Sequence, residues 1–288
     1  MDILYRVIDR SRNGPFTSEV RCDAVAALEG GRVLLFEGLC FTLSDAEQAL
    51  LTPSILGGAK NISLDPPACL KHVADKGKAA QLQMMMGRFA CDATSLVSAL
   101  FPAYANRLER ARTSFRPAEI ESRRISVLRD DTRLHVDAFP TTPMHGRRIL
   151  RLFANVNPRA PRVWNVGEPF ADMTDNLLAG VRLPPRALAR LLARTGATKG
   201  VRTPYDDLML ALHNRAKRDD AYRRSAPGTR IDFAAGAVWL CFTDQVMHAV
   251  LKGQYALERT FYLSVEAMAH PEQAPLRVLE RMTGRTLV

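Results

Sequence analysis

The sequence predicts an α+β fold whose core is a roll or barrel made of two antiparallel sheets. The first observation is a set of short segments that alternate or run apolar, are rich in Arg, Thr, Val, Phe and Trp, and are separated by Gly, Pro or Asp pairs. These segments cover residues 122–138, 147–157, 161–167, 229–242 and 258–266. The second observation is that helical periodicity lies outside them, so strands and helices do not alternate regularly. This arrangement disfavours a parallel doubly wound sheet.

Helical patterns precede the β segments, interrupt them and follow them. They cover residues 45–51, 77–100, 185–194, 205–218 and 274–281. Ser44 is a candidate N-cap for the first of these helices, and Pro102 ends the second. The third and fourth form a helical insert, at about 172–226, within the β core.

The chain organisation follows from these two patterns. A chain of 288 residues can fold as one large domain or as two small ones. We expect a single domain over 1–288, with a mostly helical N-terminal part at 1–115, a β core at 120–270 that contains the insert, and a C-terminal helix at 271–288.

The composition indicates a folded protein that attracts anions. Lys and Arg together number 40, and the formal net charge is +10. Such a charge favours nucleic acid, an anionic membrane face or an acidic substrate, although compositional bias toward arginine gives the same excess. The five cysteines are scattered without a CxxC pair, which predicts reduced thiols. No apolar run has the ~18 residues that a spanning helix needs, and no signal peptide is evident, so we expect a cytoplasmic protein.

A His-x-Asp triplet is the first candidate for chemistry, because the common nucleotide, zinc-protease and hydrolase motifs are absent from the sequence. His135 and Asp137 lie two residues apart in a segment with a strand pattern. On a strand such residues project to the same face. An imidazole and a carboxylate on one face, completed by a second histidine, would form the facial triad that holds Fe(II) and leaves other coordination positions open.

His248 is the candidate for the third ligand, since it follows a strongly apolar β segment. Arg259 comes eleven residues later. On adjacent strands, a guanidinium at this distance could bind the distal carboxylate of a 2-oxo dicarboxylic acid. This layout is typical of Fe(II)/2-oxoglutarate oxygenases. The alternatives are core or surface histidines, and a surface ion pair between Arg259 and Glu258.

Further polar side chains line the predicted β core. Arg151 and Asn155 share one face of the segment 147–157, so Asn155 is a second candidate for co-substrate binding. Arg151, together with Arg148 and Arg124, is a candidate for contact with an acidic substrate. The bland interpretation is an exposed strand face with solvated arginines. We interpret the other histidines, His72, His145, His213 and His270, as core or surface residues.

Several long runs resemble the bacterial 3-deoxy-D-manno-oct-2-ulosonic acid (Kdo) 3-hydroxylase family. They are RTSFRPAEI at 112–120, LRDDTRLHVDAFP at 128–140, RILRLFANVNP at 148–158, RVWNVGEPF at 162–170 and TDQVMHA at 243–249. The resemblance covers most of the chain, from about Leu28 to Leu263.

The resemblance implies a double-stranded β-helix, or jelly roll, with Fe(II) and 2-oxoglutarate as cofactor and co-substrate, O₂ as oxidant and ascorbate as a candidate reductant. The implied metal ligands are His135, Asp137 and His248, and Arg259 is the implied 2-oxoglutarate anchor. No further catalytic residue is implied. The implied reaction hydroxylates C3 of Kdo on a Kdo-lipid A precursor, giving D-glycero-D-talo-oct-2-ulosonic acid (Ko), in lipopolysaccharide core modification. The expected location is the cytoplasm, with peripheral binding to the anionic inner face of the inner membrane and no nucleic-acid partner.

Three other functions stay open at this point. The same chemistry could act on another small molecule or on nucleic acid. A basic β-domain could bind nucleic acid without catalysis, although aromatic residues are only 7% of the chain and no Lys/Arg run is interleaved with them. A cupin-like barrel could hold a metal that is not redox-active, and would then bind metal without turning over 2-oxoglutarate.

Overall fold

The computed structural model describes residues 5–9, 14–120 and 126–288. Within them, the strands are β1 Tyr5–Asp9, β2 Val33–Glu37, β3 Ile62–Asp65, β4 Cys69–Lys71, β5 Glu109–Arg116, β6 Arg148–Asn155, β7 Arg162–Gly167, β8 Gly228–Phe233, β9 Val238–Phe242, β10 His248–Lys252 and β11 Ala256–Leu263. The α-helices are α1 Ser18–Glu29, α2 Asp45–Gln48, α3 Ala79–Leu100, α4 Phe170–Leu177, α5 Arg186–Arg194, α6 Pro204–Arg218, α7 Asp220–Ser225 and α8 Pro275–Thr283. The predicted mixture of helices with a largely antiparallel sheet is confirmed.

The strands form two sheets of unequal size. The large sheet has eight strands in the order β1-β2-β9-β6-β11-β5-β3-β4, and the small sheet has three in the order β10-β7-β8. Only the β1–β2 pair is parallel among the described pairs. β11 lies between β5 and β6, and in its register with β6 Thr260 is opposite Arg151 and Arg259 is opposite Leu152. Side chains opposite each other share a face, so this register decides which polar groups meet inside the fold.

The two faces of the large sheet have different partners. One face packs on the small sheet through a cluster of aromatic rings, which belong to Phe153, Trp164, Phe233 and Trp239. The ring centroids of Phe233 and Trp239 are 4.0 Å apart. The opposite face carries aliphatic side chains of the same strands and packs on α1 and α3. Strand alternation therefore sorts the core into an interior between the sheets and a second layer beneath the helices.

The N-terminal part differs from the prediction of a mostly helical region. It contributes β1 to β5 to the large sheet, together with α1, α2 and α3. Strands of three to five residues, such as β3 and β4, are too short for their alternation to stand out in a sequence.

The α3 prediction is confirmed, with Leu82, Met85, Met86 and Phe89 buried on one side. Ser44 is confirmed as an N-cap, but its helix ends at Gln48 because the next turn tightens.

The predicted strand at 122–138 is wrong where the structure describes it. Residues 126–138 contain one 3₁₀ turn, Val127–Arg129, and a single antiparallel bridge between His135 and His248. Asp130 ends the turn and binds the backbone and hydroxyl of Thr132, which competes with a sheet ladder. Residues 121–125 lie outside the described part of the chain.

The helical insert and the C-terminal helix are confirmed. α4 to α7 span 170–225, and α8 covers most of the predicted tail. α6 begins with a capping box, in which Thr203 and Asp206 cap each other's backbone. None of the helices in the described ranges combines the length and apolar character that crossing a membrane requires.

Candidate metal centre

Three predicted ligands come together where the 126–138 segment meets β10. One ligand atom from each of His135, Asp137 and His248 lies within 4.8 Å of the others. His135 and His248 exchange both backbone hydrogen bonds, at 3.0 and 2.9 Å, and the Asp137 amide donates to the carbonyl of Thr243 at 2.7 Å. This short pairing holds two remote parts of the chain together and points three donor groups at one spot.

Each candidate histidine ligand is oriented by a backbone carbonyl. Nδ1 of His135 lies 2.8 Å from the carbonyl of Arg133, and Nδ1 of His248 lies 2.8 Å from that of Val246. A carbonyl only accepts, so Nδ1 carries the hydrogen and Nε2 keeps its lone pair. Burial lowers the pKa of both imidazoles, and for His135 the neighbouring His248 adds to the effect. Neutral imidazoles with a free Nε2 are the form in which histidine binds metal.

Asp137 belongs to a chain of buried charges. Arg151 lies 3.0 Å from its Oδ2 and 3.4 Å from Glu258, and Arg116 binds the other oxygen of Glu258 at 2.6 Å. Burial alone would raise the pKa of Asp137, but the charge of Arg151 outweighs it and keeps the pKa well below its usual range. Oδ2 of Asp137 nevertheless has no aligned hydrogen-bond donor. The carboxylate is thus ionised and has capacity for a cation.

Two more side chains border the triad. The indole of Trp164 stacks on His248 with ring centroids 5.1 Å apart, and its buried N–H has no hydrogen-bond partner among the described residues. His213, on α6, packs edge-on against His135 at 5.1 Å and donates from Nδ1 to the carbonyl of Val136 at 2.7 Å. We interpreted His213 as a core or surface residue from the sequence, and its position beside the triad was missed.

A basic cleft leads from the charge chain to the surface. Its volume is about 940 Å³, and Arg151, Arg116 and Glu258 line its inner end. Its walls carry five further cationic residues, Lys71, Arg110, Arg112, Arg147 and Lys199. Of its other two carboxylates, Asp65 is bound by Lys71 and Arg112, and Glu109 by Arg147. The cleft therefore keeps an excess of positive charge.

Arg259 lies on the wrong face for the predicted role. It alternates with Glu258 and Thr260, which face the cleft, so its own side chain faces α3 on the other side of the large sheet. Its Nη1 donates to the carbonyl of Ala111 at 2.9 Å and to the hydroxyl of Thr113 at 2.8 Å. The structure does not bring Arg259 to the triad, and Glu258 pairs with Arg116 instead of with it.

Two other predicted site residues have structural contacts. Asn155 is buried; its amide donates to three carbonyls and its oxygen accepts from the backbone of Asn157, so no polar atom is left for a co-substrate. Arg148 is fully buried on the face opposite Arg151, where it binds Asp244 at 2.7 Å and Gln245 at 2.6 Å. Of the predicted substrate arginines only Arg151 reaches the cleft, and Arg124 lies outside the described residues.

The remaining sequence predictions about side chains are mostly confirmed. His145 is exposed, His270 is half-buried, and His72 lies in an exposed turn. All five cysteines are free thiols, four of them exposed and Cys241 buried.

Comparisons with known proteins identify relatives of this chain. The sequence profile of the 3-deoxy-D-manno-oct-2-ulosonic acid (Kdo) hydroxylase family matches residues 12–286. The chain is similar to the Kdo hydroxylase KdoO, a non-heme Fe(II) α-ketoglutarate-dependent dioxygenase, in its complex with cobalt(II). The two chains are 44% identical, the match covers 99% of this chain and 98% of that one, and the TM-score is 0.96. KdoO with α-ketoglutarate and Fe(III) matches at 44% identity and a TM-score of 0.94, covering 99% and 97% of the two chains. No curated protein matched significantly.

Proposed function

The chain belongs to the Kdo hydroxylase family, and we propose that it is an Fe(II)/2-oxoglutarate-dependent dioxygenase that hydroxylates C3 of Kdo on a Kdo-lipid A precursor. The observation that carries the proposal is the buried triad of His135, Asp137 and His248. Iron, when bound, supplies O₂ activation coupled to the decarboxylation of 2-oxoglutarate to succinate and CO₂. The alternative functions considered from the sequence gain no support from the family match.

The residues present fit a divalent cation. Two neutral imidazoles with free Nε2 atoms and one ionised carboxylate with an unaligned oxygen supply three donors of the kind that ferrous iron takes in a facial triad. Arg151 compensates the charge of Asp137 at 3.0 Å while no cation is bound. The ion pair keeps the carboxylate ionised and oriented, so the protein does not have to rearrange a protonated acid to bind metal.

The charge balance of the interior fits a dianionic co-substrate. Arg116 and Arg151 are nearly buried cations, paired with the carboxylates Asp137 and Glu258. The two cations and two anions sum to zero, a divalent metal raises the charge to +2, and a dicarboxylate returns it to zero. Arg162 lies two residues before Trp164 on β7 and so projects to the same interior face. We assign the binding of 2-oxoglutarate carboxylates to these guanidinium groups, with the indole N–H of Trp164 as a further donor.

The cleft fits an acidic sugar on a phosphorylated lipid. Arg110, Arg112, Arg147 and Lys199 line its outer walls, while Arg151 sits beside the triad. A sugar carboxylate bound at the inner end of the cleft would bring C3, two bonds from the carboxylate carbon, close to the metal, and phosphates could contact the outer cations by charge-assisted hydrogen bonds. The chain's own contribution is orientation and exclusion of water, because the triad histidines are almost fully buried.

The same reasoning extends to architecture and location. We propose that the two sheets form a double-stranded β-helix, supported by the aromatic interior between them, and that residues 1–288 act as one oxygenase domain. We further propose that the enzyme works in the cytoplasm, peripherally on the inner face of the inner membrane, where its lipid-linked substrate would be made. Nucleic acid is not part of this proposal.

The test is succinate release from 2-oxoglutarate with Fe(II), O₂, ascorbate and Kdo-lipid A precursor. The wild type should release succinate only with the lipid, and the sugar should gain one oxygen by mass. His135→Ala should lose both, while His270→Ala, which changes a half-buried histidine outside the site, should keep them. Succinate without an oxygenated sugar, when other acceptors are supplied, would move the proposal to another substrate. Iron-loaded wild type that releases no succinate would refute the oxygenase.

A further inference from the structure

An exposed basic and apolar segment, residues 182–202, borders the cleft, and apart from Lys199 it has no role in the chemistry above. Its centre is α5, whose only buried residue is Ala189. Leu191 is 55% exposed and Leu188 40%, and the flanking Leu183 and Val201 are 37% and 40% exposed. Single exposed leucines are ordinary on a protein surface, but four large apolar side chains within twenty residues form a patch.

The charge of this segment has one sign. Six cations, Arg182, Arg186, Arg190, Arg194, Lys199 and Arg202, lie between residues 176 and 205, a stretch that contains no Asp or Glu. On α5 the arginines recur every four residues and occupy one side of the helix, whereas Leu188 and Leu191 lie on another. A helix with a basic side, an apolar side and low mean hydropathy is typical of segments that lie in the plane of an anionic bilayer.

The segment is connected to the mouth of the cleft. The Lys199 side chain lines the cleft, and its amide donates to the carbonyl of Thr141, another lining residue, at 2.8 Å. Arg202 reaches the carbonyl of Pro140, also at the cleft, and is paired with Asp207 at 2.8 Å. The position of α5 is therefore coupled to the cleft rim by backbone contacts.

We propose that α5 and its flanks are a docking element for an anionic lipid bilayer. Leu188 and Leu191 would enter the headgroup–acyl boundary while the arginines contact lipid phosphates. The inference deepens the proposed function and rests on it for the need to reach a sugar carried by a lipid. Docked in this way, the mouth of the cleft would open at the membrane surface. The exposed leucines favour a bilayer over a nucleic acid, which would use the charge alone.

The experiment is flotation of the purified full-length protein with vesicles of phosphatidylethanolamine and phosphatidylglycerol, with phosphatidylcholine vesicles as the neutral comparison. Leu188→Asp/Leu191→Asp should lower the partition coefficient about tenfold or more. Arg190→Gln/Arg194→Gln should lower it roughly 25-fold, since each cation near an anionic leaflet contributes roughly fivefold. The matched control is Met84→Asp, an exposed apolar residue on α3 that should leave binding unchanged.

Flotation needs no turnover, so it separates this inference from the proposed function. Succinate release with a water-soluble Kdo glycoside should be equal in wild type and Leu188→Asp/Leu191→Asp, because that substrate needs no membrane. Circular dichroism confirms that the variants are folded. The inference is overturned if wild type does not float, if the leucine variant floats like wild type, if Met84→Asp loses as much binding, or if duplex DNA is bound instead of vesicles.

Discussion

The identity of the 2-oxoglutarate anchor gives the sharpest test, because sequence and structure assign it differently. Spacing from His248 predicts Arg259, whereas the structure places Arg116 in the interior and Arg259 on the opposite face of the same sheet. A charge-assisted hydrogen bond contributes about 1.5–3 kcal/mol, so losing one to a carboxylate raises KM roughly 10- to 150-fold. Arg116→Gln should raise KM for 2-oxoglutarate by that factor, and Arg259→Gln should leave it within about twofold.

Stability has to be separated from binding in this test. Among the described residues, Arg116→Gln leaves the buried carboxylate of Glu258 with Arg151, at 3.4 Å, as its one remaining cationic partner, and breaking a buried pair costs roughly 3–5 kcal/mol. Arg116→Gln/Glu258→Gln removes both charges and should recover much of that loss in urea unfolding, while the high KM persists. A tenfold rise in KM for Arg259→Gln, with Arg116→Gln near wild type, would refute the face assignment.

Three further predictions concern a buried ion pair, three buried histidines and a buried thiol. Arg148→Met should destabilise the protein by roughly 3–5 kcal/mol in urea unfolding, because it leaves the buried carboxylate of Asp244 without its cationic partner, yet the folded variant should keep wild-type kcat/KM. A rise in substrate KM without loss of stability would show that Arg148 contacts the substrate. Burial lowers the pKa of His135, His213 and His248, so below about pH 6.5 the unfolded chain binds more protons than the folded one. The free energy of unfolding of the metal-free protein should therefore be highest above that pH and fall below it, by up to roughly 1.4 kcal/mol per pH unit for each histidine. Urea midpoints that stay constant from pH 7.5 to 5.5 would contradict this. Burial also raises the pKa of the Cys241 thiol, so a thiol reagent should label four cysteines in the native protein and five in urea.

The predictable part of the fold is the part with long, regular periodicity. α3 keeps its spacing over 22 residues and was predicted nearly to its ends. β6, with eight residues, fell within a predicted segment, and β11, also with eight, overlaps one over its last six residues. Among the strands that escaped prediction, β3 and β4 have only four and three residues, and β4 forms one edge of the large sheet. The place of β3 in the sheet depends on pairing with β5, a contact between residues that are far apart in sequence.

The 126–138 segment shows the opposite error. Its apolar alternation around Leu134 and Val136 is real, since both side chains are buried, but the backbone forms one bridge instead of a strand. Apolar alternation in a sequence predicts that every second side chain faces the core. It does not predict whether a neighbouring strand lies close enough to continue the ladder of backbone hydrogen bonds. The ligand prediction survived because it needed only the i, i+2 geometry of His135 and Asp137.

Arg259 was predicted wrongly because its spacing from His248 does not fix which face of the strand it occupies. Arg259 and Glu258 are adjacent on β11, so one of them faces the cleft and the other faces α3, and the spacing from His248 is compatible with either. The choice is made by the β6–β11 register, which places Thr260 opposite Arg151 and so gives Glu258 and Thr260 the interior face. A shift of one residue would exchange these faces, move Glu258 to the α3 side and separate it from Arg116 and Arg151. The buried pair with Arg116 is therefore both part of the proposed co-substrate pocket and a constraint that disfavours the wrong register.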